Sequence, residues 1–160
     1  MGSFEIHEVD GQKADICRST LEALPDWFGI PEALEEYVRA SSSMPMLAAF
    51  EDSRAVGFVS LAVHFGNACE IYVMGVLQER HRSGIGRALV TASEAFARDR
   101  GCALMTVKTV GPSREDEDYR KTRKFYLAMG FLPIEEFPNL WPGNPCLFLA
   151  KPLPAGTVGA

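Results

Sequence analysis

The amino-acid sequence predicts an α/β fold whose strands and helices follow one another in the order β-α-α-β-β-β-α-β-α-β-β. Short apolar runs of strand length alternate with longer segments in which apolar residues recur every three or four positions. One apolar run, residues 70–76, leads through a glycine-containing turn directly into such a helical pattern. At 160 residues, 47% of them hydrophobic, the chain is long enough for a substantial core. We therefore expect a single domain over residues 1–154 and a flexible tail at residues 155–160.

The first half of the chain is predicted to contain a short strand, two helices and a hairpin. The strand covers about residues 3–9, and Asp10 is placed to cap the helix that follows it. Pro31 opens the second helix, because its fixed φ suits the first helical position. Two strands, Met46–Glu51 and Ala55–His64, are separated by only three polar residues and are expected to form a hairpin.

The second half is predicted to alternate strands with helices. The strand at residues 70–76 is followed by a turn and a long helix, and then by a strand at Leu104–Val110. The last helix ends at Gly130, since glycine readily adopts the left-handed conformation of a helix C-terminus. Phe131 begins the next strand, and Cys146–Lys151 forms the final one.

The composition argues against several classes of protein. A net charge of −5 provides no basic excess for a nucleic-acid-binding face, and the longest apolar runs are too short to cross a membrane. The cysteines include no C-x-x-C pair and the histidines show no zinc-binding spacing, so we expect no metal site. Scattered cysteines of this kind are typical of buried thiols in a cytoplasmic protein. They are Cys17, Cys69, Cys102 and Cys146.

The turn between strand and helix, His81 to Gly86, reads HRSGIG and is the most informative segment of the chain. A strand that enters a glycine-containing loop and opens a helix directs several backbone N–H groups at one point, and this arrangement binds anions such as phosphate. Arg87 and Ala88 follow Gly86 in place of the Lys-Ser/Thr of a P-loop. Leu89 occupies the position of the third glycine of a dinucleotide fingerprint. By itself the segment is equally consistent with an ordinary strand-to-helix turn.

Three motifs together resemble the GNAT superfamily of N-acetyltransferases. Residues 81–86 are similar to its Q/R-x-x-G-x-G/A loop, although His81 replaces the usual Gln or Arg. Residues 124–131, KFYLAMGF, resemble the F-Y-x-x-x-G-F end of its last helix, and residues 70–76 match the strand before the loop. The resemblance covers about residues 46–151. It implies a GNAT fold, with a mixed sheet that splays near its middle.

The resemblance implies acetyl-CoA as co-substrate. Backbone amides of the loop would hold the pyrophosphate, with side-chain charge added by Arg82 and Arg87, and the pantetheine arm would lie along the strand before the loop. Tyr119 stands where the family often has an Asn that contacts the cofactor, so a contact there depends on its phenol. The expected cofactor-binding residues are Met74, Gly75, Val76, His81, Arg82, Ser83, Gly84, Ile85, Gly86, Arg87 and Tyr119.

The family's reaction is direct attack of a neutral amine on the acetyl group in a ternary complex. Tyr126 occupies the position of the general acid that protonates the departing thiolate; the alternative is a core aromatic on one helix face. Glu70 is the first candidate for the base, and the alternative is a solvated carboxylate at the start of a strand. Glu135 and Glu136 are weaker candidates. The acidic run at residues 115–118 is expected to complement a helix N-terminus.

Aromatic residues are expected to line the acceptor side. The candidates are Trp27, Phe28, Tyr37, Phe137 and Trp141, which form either a slot for an amine or a seal over the core. The tryptophans are predicted to lie in loops, and residues 139–144 are predicted to form a rigid loop rather than a peptide groove. We therefore expect a small-molecule amine as acceptor. A homodimer is left open.

Two rival functions compete with the acetyltransferase. One is an acyl-CoA-binding sensor or pseudoenzyme, which keeps the phosphate-binding loop without turnover. The other is a thiol-based hydrolase that pairs a cysteine with His64 or His81; the sequence lacks a nucleophile elbow, which argues against it.

Overall fold

The structure is a computed structural model that describes residues 3–154. Its elements follow the predicted order, with a short 3₁₀ turn at Gln78–Arg80 before the long helix. The strands are β1 (Glu5–Glu8), β2 (Met46–Glu51), β3 (Arg54–His64), β4 (Ala68–Val76), β5 (Leu104–Val110), β6 (Leu132–Trp141) and β7 (Asn144–Pro152). The helices are α1 (Lys13–Glu22), α2 (Pro31–Ser41), α3 (Ile85–Asp99) and α4 (Glu117–Ala128). The predicted flexible tail at residues 155–160 lies outside the described residues.

The seven strands form one mixed sheet in the order β1-β2-β3-β4-β5-β7-β6. β4 and β5 are parallel, with Glu70 opposite Thr106 and Ile71 opposite Val107. The β1–β2, β2–β3, β5–β7 and β6–β7 pairs are antiparallel. The predicted α/β class and mixed sheet are thereby confirmed. Contacts within the chain define two compact units, of which one comprises residues 3–62 and 72–95 and the other residues 63–71 and 96–154.

The first unit has its core between the first two helices and the strands of the N-terminal half. Gly75 in β4 shows how close this packing is: a Cβ there would lie 3.1 Å from the Thr20 side chain and 3.2 Å from that of Leu24. A larger residue at this position would therefore displace α1. The buried core residues are Val9, Cys17, Leu21, Leu34, Val38, Met46, Ala48, Phe58 and Val73.

The two helix starts predicted in this unit have different outcomes. Pro31 is the first residue of α2, as expected. The prediction that Asp10 caps α1 is wrong: the N-cap residue is Gln12, with a φ of 63°, and it makes no side-chain capping hydrogen bond. The chain turns through Gly11 and Gln12 before the helix begins, which moves Asp10 out of the capping position.

The second unit contains β5, β7 and β6 with α4. Asp116 caps α4, since its Oδ1 accepts hydrogen bonds from the backbone N–H groups of Asp118 (3.0 Å) and Tyr119 (3.2 Å). The acidic run therefore lies at a helix N-terminus, as expected, with Glu117 and Asp118 in the first turn of α4. The prediction of a rigid loop at residues 139–144 is wrong, because β6 continues to Trp141 and only a tight turn with Gly143 at a φ of 77° precedes β7. Trp141 accordingly lies at a strand end and not in a loop.

Candidate active site

The segment between β4 and α3 is anchored by ion pairs on its 3₁₀ turn. Arg80 Nε lies 2.5 Å from Glu51 Oε1 at the end of β2, and Arg54 Nη2 lies 3.3 Å from Glu79 Oε1. The side chain of Arg80 is 36% exposed and that of Glu51 15%, so this pair is shielded from water more than an ordinary surface pair. The two contacts fix the point at which the chain leaves the sheet before the loop begins.

The backbone of the loop supports the predicted anion site. Arg82 and Gly84 have φ values of 65° and 88°, in the left-handed region. The carbonyl of Gly84 accepts the first hydrogen bond of α3, from Ala88 N at 3.0 Å. The N–H groups of Ile85, Gly86 and Arg87 therefore have no acceptor within the helix. They stand at the positive end of the helix dipole, where an anion is stabilised.

Space around Gly84 is open. A Cβ built there would meet no atom within 4 Å, and residues 81–84 are all exposed. Ser83 Oγ donates a hydrogen bond to the carbonyl of Arg80, so this hydroxyl stabilises the loop itself. Glycine at residue 84 thus permits the left-handed backbone conformation, and it leaves open space beside the loop.

The side chain of His81 makes two contacts within the protein that the sequence did not indicate. Its Nε2 lies 2.8 Å from the carbonyl oxygen of Val76, the last residue of β4. Its ring packs edge-on against Trp27, with 5.6 Å between ring centroids. The side chain of His81 therefore joins the loop to the end of β4 and to the turn after α1, while its predicted contact with a cofactor stays a prediction.

Glu70 is the centre of a cluster in the second unit. It is the third residue of β4, and only 10% of its side chain is exposed. Oε1 lies 2.8 Å from His64 Nε2, and Oε2 lies 2.8 Å from Lys108 Nζ. The alternative interpretation of Glu70 as a solvated carboxylate is wrong, because both oxygens are engaged by neighbouring side chains.

His64 and Lys108 are the residues of this cluster that sequence reasoning did not associate with Glu70. Lys108 is 38 residues from Glu70 in the chain and comes close because β4 and β5 pair with Glu70 opposite Thr106. Lys108 is two positions beyond Thr106, on the same face of the strand. Only the register of the parallel pair carries this information, and no local motif does.

Tyr126 is buried on α4 and packs between two phenylalanines. Its ring centroid lies 5.3 Å from that of Phe125 and 5.5 Å from that of Phe131, both edge-on. Burial strongly raises the pKa of the Tyr126 phenol, so the hydroxyl keeps its proton well above neutral pH. A proton donor must be protonated, but a raised pKa also makes the phenol a weaker acid. The packing equally fits the alternative of a core aromatic.

The other carboxylate candidates have separate positions. Glu136 accepts hydrogen bonds from Ser113, from its backbone N at 3.0 Å and its Oγ at 2.6 Å, and these bonds lower the pKa of Glu136. Glu136 therefore holds the segment after β5. Glu135 is exposed on β6. Neither residue belongs to the Glu70 cluster.

Predicted acceptor residues of the first unit form a series of aromatic contacts. Phe28 and Tyr37 are 5.9 Å apart between centroids, and Tyr37 and Tyr72 of β4 are 5.5 Å apart. Trp27, Phe28 and Tyr37 are half-buried, so each combines packing with an accessible face. Tyr72 was not among the predicted residues. Trp141 and Phe137 belong to the second unit, on β6.

The cysteines give no support to a thiol hydrolase. All four are buried and unpaired. Burial raises the pKa of the thiols of Cys17 and Cys146, and that of Cys69 to about 12. A thiol in this state does not ionise near neutral pH and is a poor nucleophile.

The described residues provide neither a cluster of metal ligands nor a membrane-spanning helix. In the span 3–154, no group of three or more His, Cys, Asp or Glu side chains is placed to hold a metal ion. Over the same span, no helix combines the length and the apolar character needed to cross a bilayer.

Solved structures share the fold of this chain. A protein from Desulfovibrio desulfuricans described as an acetyltransferase of the GNAT family superposes with a TM-score of 0.79 at 22% identity, covering 94% of this chain and 99% of that one. The ribosomal-protein-S18-alanine N-acetyltransferase from Escherichia coli gives 0.76 at 13% identity, with 94% of each chain covered. An aminoglycoside 6′-N-acetyltransferase complexed with coenzyme A gives 0.72 at 19% identity, with 93% and 97% covered. At these identities the similarity concerns the fold.

Sequence comparison identifies the family directly. No curated protein sequence matches the chain. The family model described as Acetyltransferase (GNAT) family matches residues 14–131, well over half of the chain, and spans the loop, Glu70 and Tyr126. The chain therefore belongs to the GNAT acetyltransferase family, which confirms the predicted class of enzyme, an acetyl-CoA-dependent N-acetyltransferase.

Proposed function

We propose that this protein transfers the acetyl group of acetyl-CoA to a primary amine of a small molecule, by direct attack within a ternary complex. The observation that carries the proposal is the loop after β4, with its left-handed Arg82 and Gly84 and its exposed amides at the start of α3. Acetyl-CoA supplies the acetyl group as a thioester, whose sulfur departs as a thiol. The residues of this chain supply binding, orientation and the handling of protons.

The loop residues fit a diphosphate. The amides of Ile85, Gly86 and Arg87 provide N–H donors at the positive end of α3. The exposed guanidinium groups of Arg82 and Arg87 add positive charge to the same loop. The space at Gly84 is open, and its φ of 88° suits glycine. The pantetheine arm is assigned to the backbone of Met74, Gly75 and Val76, by analogy with an added strand.

Glu70 and Tyr126 are assigned to the proton transfers. A primary ammonium has a pKa near ~10.4, so the amine must lose a proton before it can attack. Glu70 is a buried carboxylate within a hydrogen-bonded cluster and is the group that drives this loss. Tyr126 stays protonated because burial raises its pKa, and it donates its proton to the departing thiolate.

A small-molecule acceptor is supported by the aromatic series of the first unit. Half-buried Trp27, Phe28 and Tyr37 offer ring faces that bind an apolar amine or stack on its cationic form. The fold occurs both in an aminoglycoside acetyltransferase and in an enzyme that acetylates a ribosomal protein, so the fold alone does not select the acceptor.

One observation favours the alternative of an acyl-CoA-binding sensor without turnover. Both oxygens of Glu70 are engaged, by His64 and by Lys108, and a carboxylate held in this way also occurs in purely structural ion pairs. The two functions predict different results with an amine present.

The test measures thiol release from acetyl-CoA across a panel of amines that includes polyamines, aminoglycosides, arylalkylamines and N-terminal peptides. We expect calorimetric binding of acetyl-CoA together with amine-dependent release for at least one small molecule. Binding without release for any amine would favour the sensor, and release with peptides alone would overturn the small-molecule assignment. An absence of binding would remove the phosphate-binding loop as the basis of the proposal.

A further inference from the structure

We propose that His64 is the catalytic base of this enzyme and that Glu70 is the positioning residue that holds it. This inference rests on the proposed function and changes the role of Glu70 within it. His64 ends β3, and its Nε2 lies 2.8 Å from Glu70 Oε1. Half of its side chain is exposed, whereas only 10% of that of Glu70 is. The histidine is thus the member of the pair that solvent and a diffusible amine can reach.

The bond to Glu70 fixes which nitrogen of the imidazole accepts a proton. A carboxylate accepts a hydrogen bond from Nε2–H, and in that neutral tautomer the lone pair is on Nδ1. A buried carboxylate that orients a histidine and stabilises its charged form is the arrangement found in hydrolase triads.

Lys108 explains why Glu70 acts through the histidine and not alone. Its Nζ lies 2.8 Å from Oε2, so the carboxylate already neutralises one cation and its second oxygen is occupied. The ion pair holds Glu70 in place, because a buried charge needs a partner. Glu70 Oε1 stays directed at His64, where it orients the imidazole.

The proton transfers balance. The N–H bond of the acceptor ammonium breaks, its proton forms the Nδ1–H bond of His64, and the electron pair stays on the amine nitrogen for attack. The imidazolium then loses the Nδ1 proton to solvent, which restores the neutral ring bonded to Glu70. After the attack the nitrogen loses its second proton to solvent, and Tyr126, which has given its proton to the thiolate, regains one from solvent, so one proton is released in each turnover. No oxidant, reductant or metal ion takes part.

The titratable side chains in contact with Glu70 come from two other strands. They are His64 at the end of β3 and Lys108 on β5. The thiol of Cys146 on β7 lies in the electrostatic field of Lys108 and Glu70, and that of Cys69 in the field of Arg100, Cys102 and Glu70. Burial raises the pKa of the Cys146 and Cys69 thiols, so neither changes charge near neutral pH or contributes an acidic limb to the rate profile.

The test compares His64→Gln and His64→Ala with the wild type, using an amine that the wild type acetylates. His7→Gln is the matched control, since His7 also bonds a glutamate, with Nε2 3.0 Å from Glu5 Oε2, on the edge strand β1. We expect kcat to fall about 100-fold in both His64 variants and KM for acetyl-CoA to stay within about twofold. Free imidazole should restore part of the activity of His64→Ala and leave His7→Gln unchanged. Thermal unfolding of each variant shows whether it is folded.

The pH profile separates a base from a structural contact. The rate of the wild type should fall as pH decreases, because a protonated His64 cannot accept the amine proton. His64→Gln should keep only the decline that comes from protonation of the amine itself, so the ratio of the wild-type rate to the variant rate should become smaller as pH decreases. Glutamine keeps a hydrogen-bond donor for Glu70, so wild-type activity in His64→Gln would overturn the proposal and leave His64 a structural residue. Activity lost in His64→Ala without any rescue by imidazole would also contradict it. If the wild type acetylates no amine, the proposed function itself fails, which is a different result from an active wild type with an active His64→Gln.

Discussion

The loop at residues 81–86 and the cluster around Glu70 are built from different parts of the chain. The loop is a continuous segment whose donors are backbone amides, and its shape depends on Arg82 and Gly84 in left-handed conformations. The cluster brings together side chains from β3, β4 and β5, with Glu70 and Lys108 separated by 38 residues. One site is made by local backbone geometry and the other by strand register.

This difference decides how each site responds to change. A backbone site tolerates substitution of its exposed side chains and fails when the conformation of the loop or the access to its amides changes. A side-chain site fails when one member is removed, because its partners lose the contact that holds them in place. Four substitutions, taken in order of decreasing expected effect, measure this contrast.

Glu70→Gln should have the largest effect. The amide keeps the size of the side chain and loses the charge that holds His64 and Lys108, so we expect kcat to fall by about 100-fold or more. Affinity for acetyl-CoA should stay within about twofold, as measured by calorimetry. The control is Glu135→Gln, at an exposed position on β6. Unchanged kcat in Glu70→Gln would show that the cluster has no part in catalysis.

Gly84→Glu should weaken cofactor binding. The new carboxylate would lie over the amides that face the diphosphate, and like-charge repulsion of about 2 kcal/mol corresponds to a roughly 30-fold higher Kd for acetyl-CoA. Gly101→Glu is the matched control, because Gly101 also has a positive φ (78°) and open space around its Cβ position, outside the loop. Equal affinities in the two variants would refute the loop as the phosphate site.

Tyr126→Phe should lower kcat by about tenfold or more with little change in Kd for acetyl-CoA, since only the proton for the departing thiolate is lost. The raised pKa of Tyr126 keeps the wild-type phenol protonated at neutral and moderately alkaline pH. The protonated phenol is the active form, so deprotonation of Tyr126 should cause no loss of rate up to pH ~10. The pH–rate profiles of the wild type and Tyr126→Phe should therefore be parallel over that range. Unchanged kcat in Tyr126→Phe would contradict the assignment.

Asp116→Ala should have the smallest effect, and only on stability. Loss of its two capping hydrogen bonds to Asp118 N and Tyr119 N should cost about 1 kcal/mol, or a decrease of about 2–4 °C in Tm. Glu115→Ala, just outside the helix, is the control. Circular dichroism on heating gives the Tm of each variant. Equal Tm values for Asp116→Ala and Glu115→Ala would show that Asp116 does not stabilise the start of α4.

The sequence predicted the order of elements because each element has a strong local pattern. Pro31 marks a helix start, Gly130 marks a helix end, and the strand bounds of Leu104–Val110 agree with the structure residue for residue. Asp10 failed as a cap because Gly11 and Gln12 form a turn before α1. Residues 139–141 failed as a loop because pairing with β7 extends β6 through a segment rich in Pro and Asn, so tertiary contacts outweighed local preference.

The candidate site likewise has one part that local sequence signals predicted and one part that they did not. The loop was predictable because glycine spacing after a strand is a local signal for backbone conformation. The partners of Glu70 were not, because they depend on a parallel register that no short motif specifies. The pairing of His81 with the Val76 carbonyl was also missed, since a side chain's hydrogen-bond partner is set by the turn that carries it.

The contact between Trp27 and His81 gives the protein an optical property. The chain has two tryptophans, and the indole of Trp27 packs edge-on against His81, the first residue of the loop at residues 81–86. Indole emission depends on its surroundings, so a movement of His81 on ligand binding would change the fluorescence of Trp27. With Trp141 replaced by Phe, Trp27 would be the one remaining tryptophan. The binding of acetyl-CoA could then be followed by tryptophan fluorescence, without a labelled ligand.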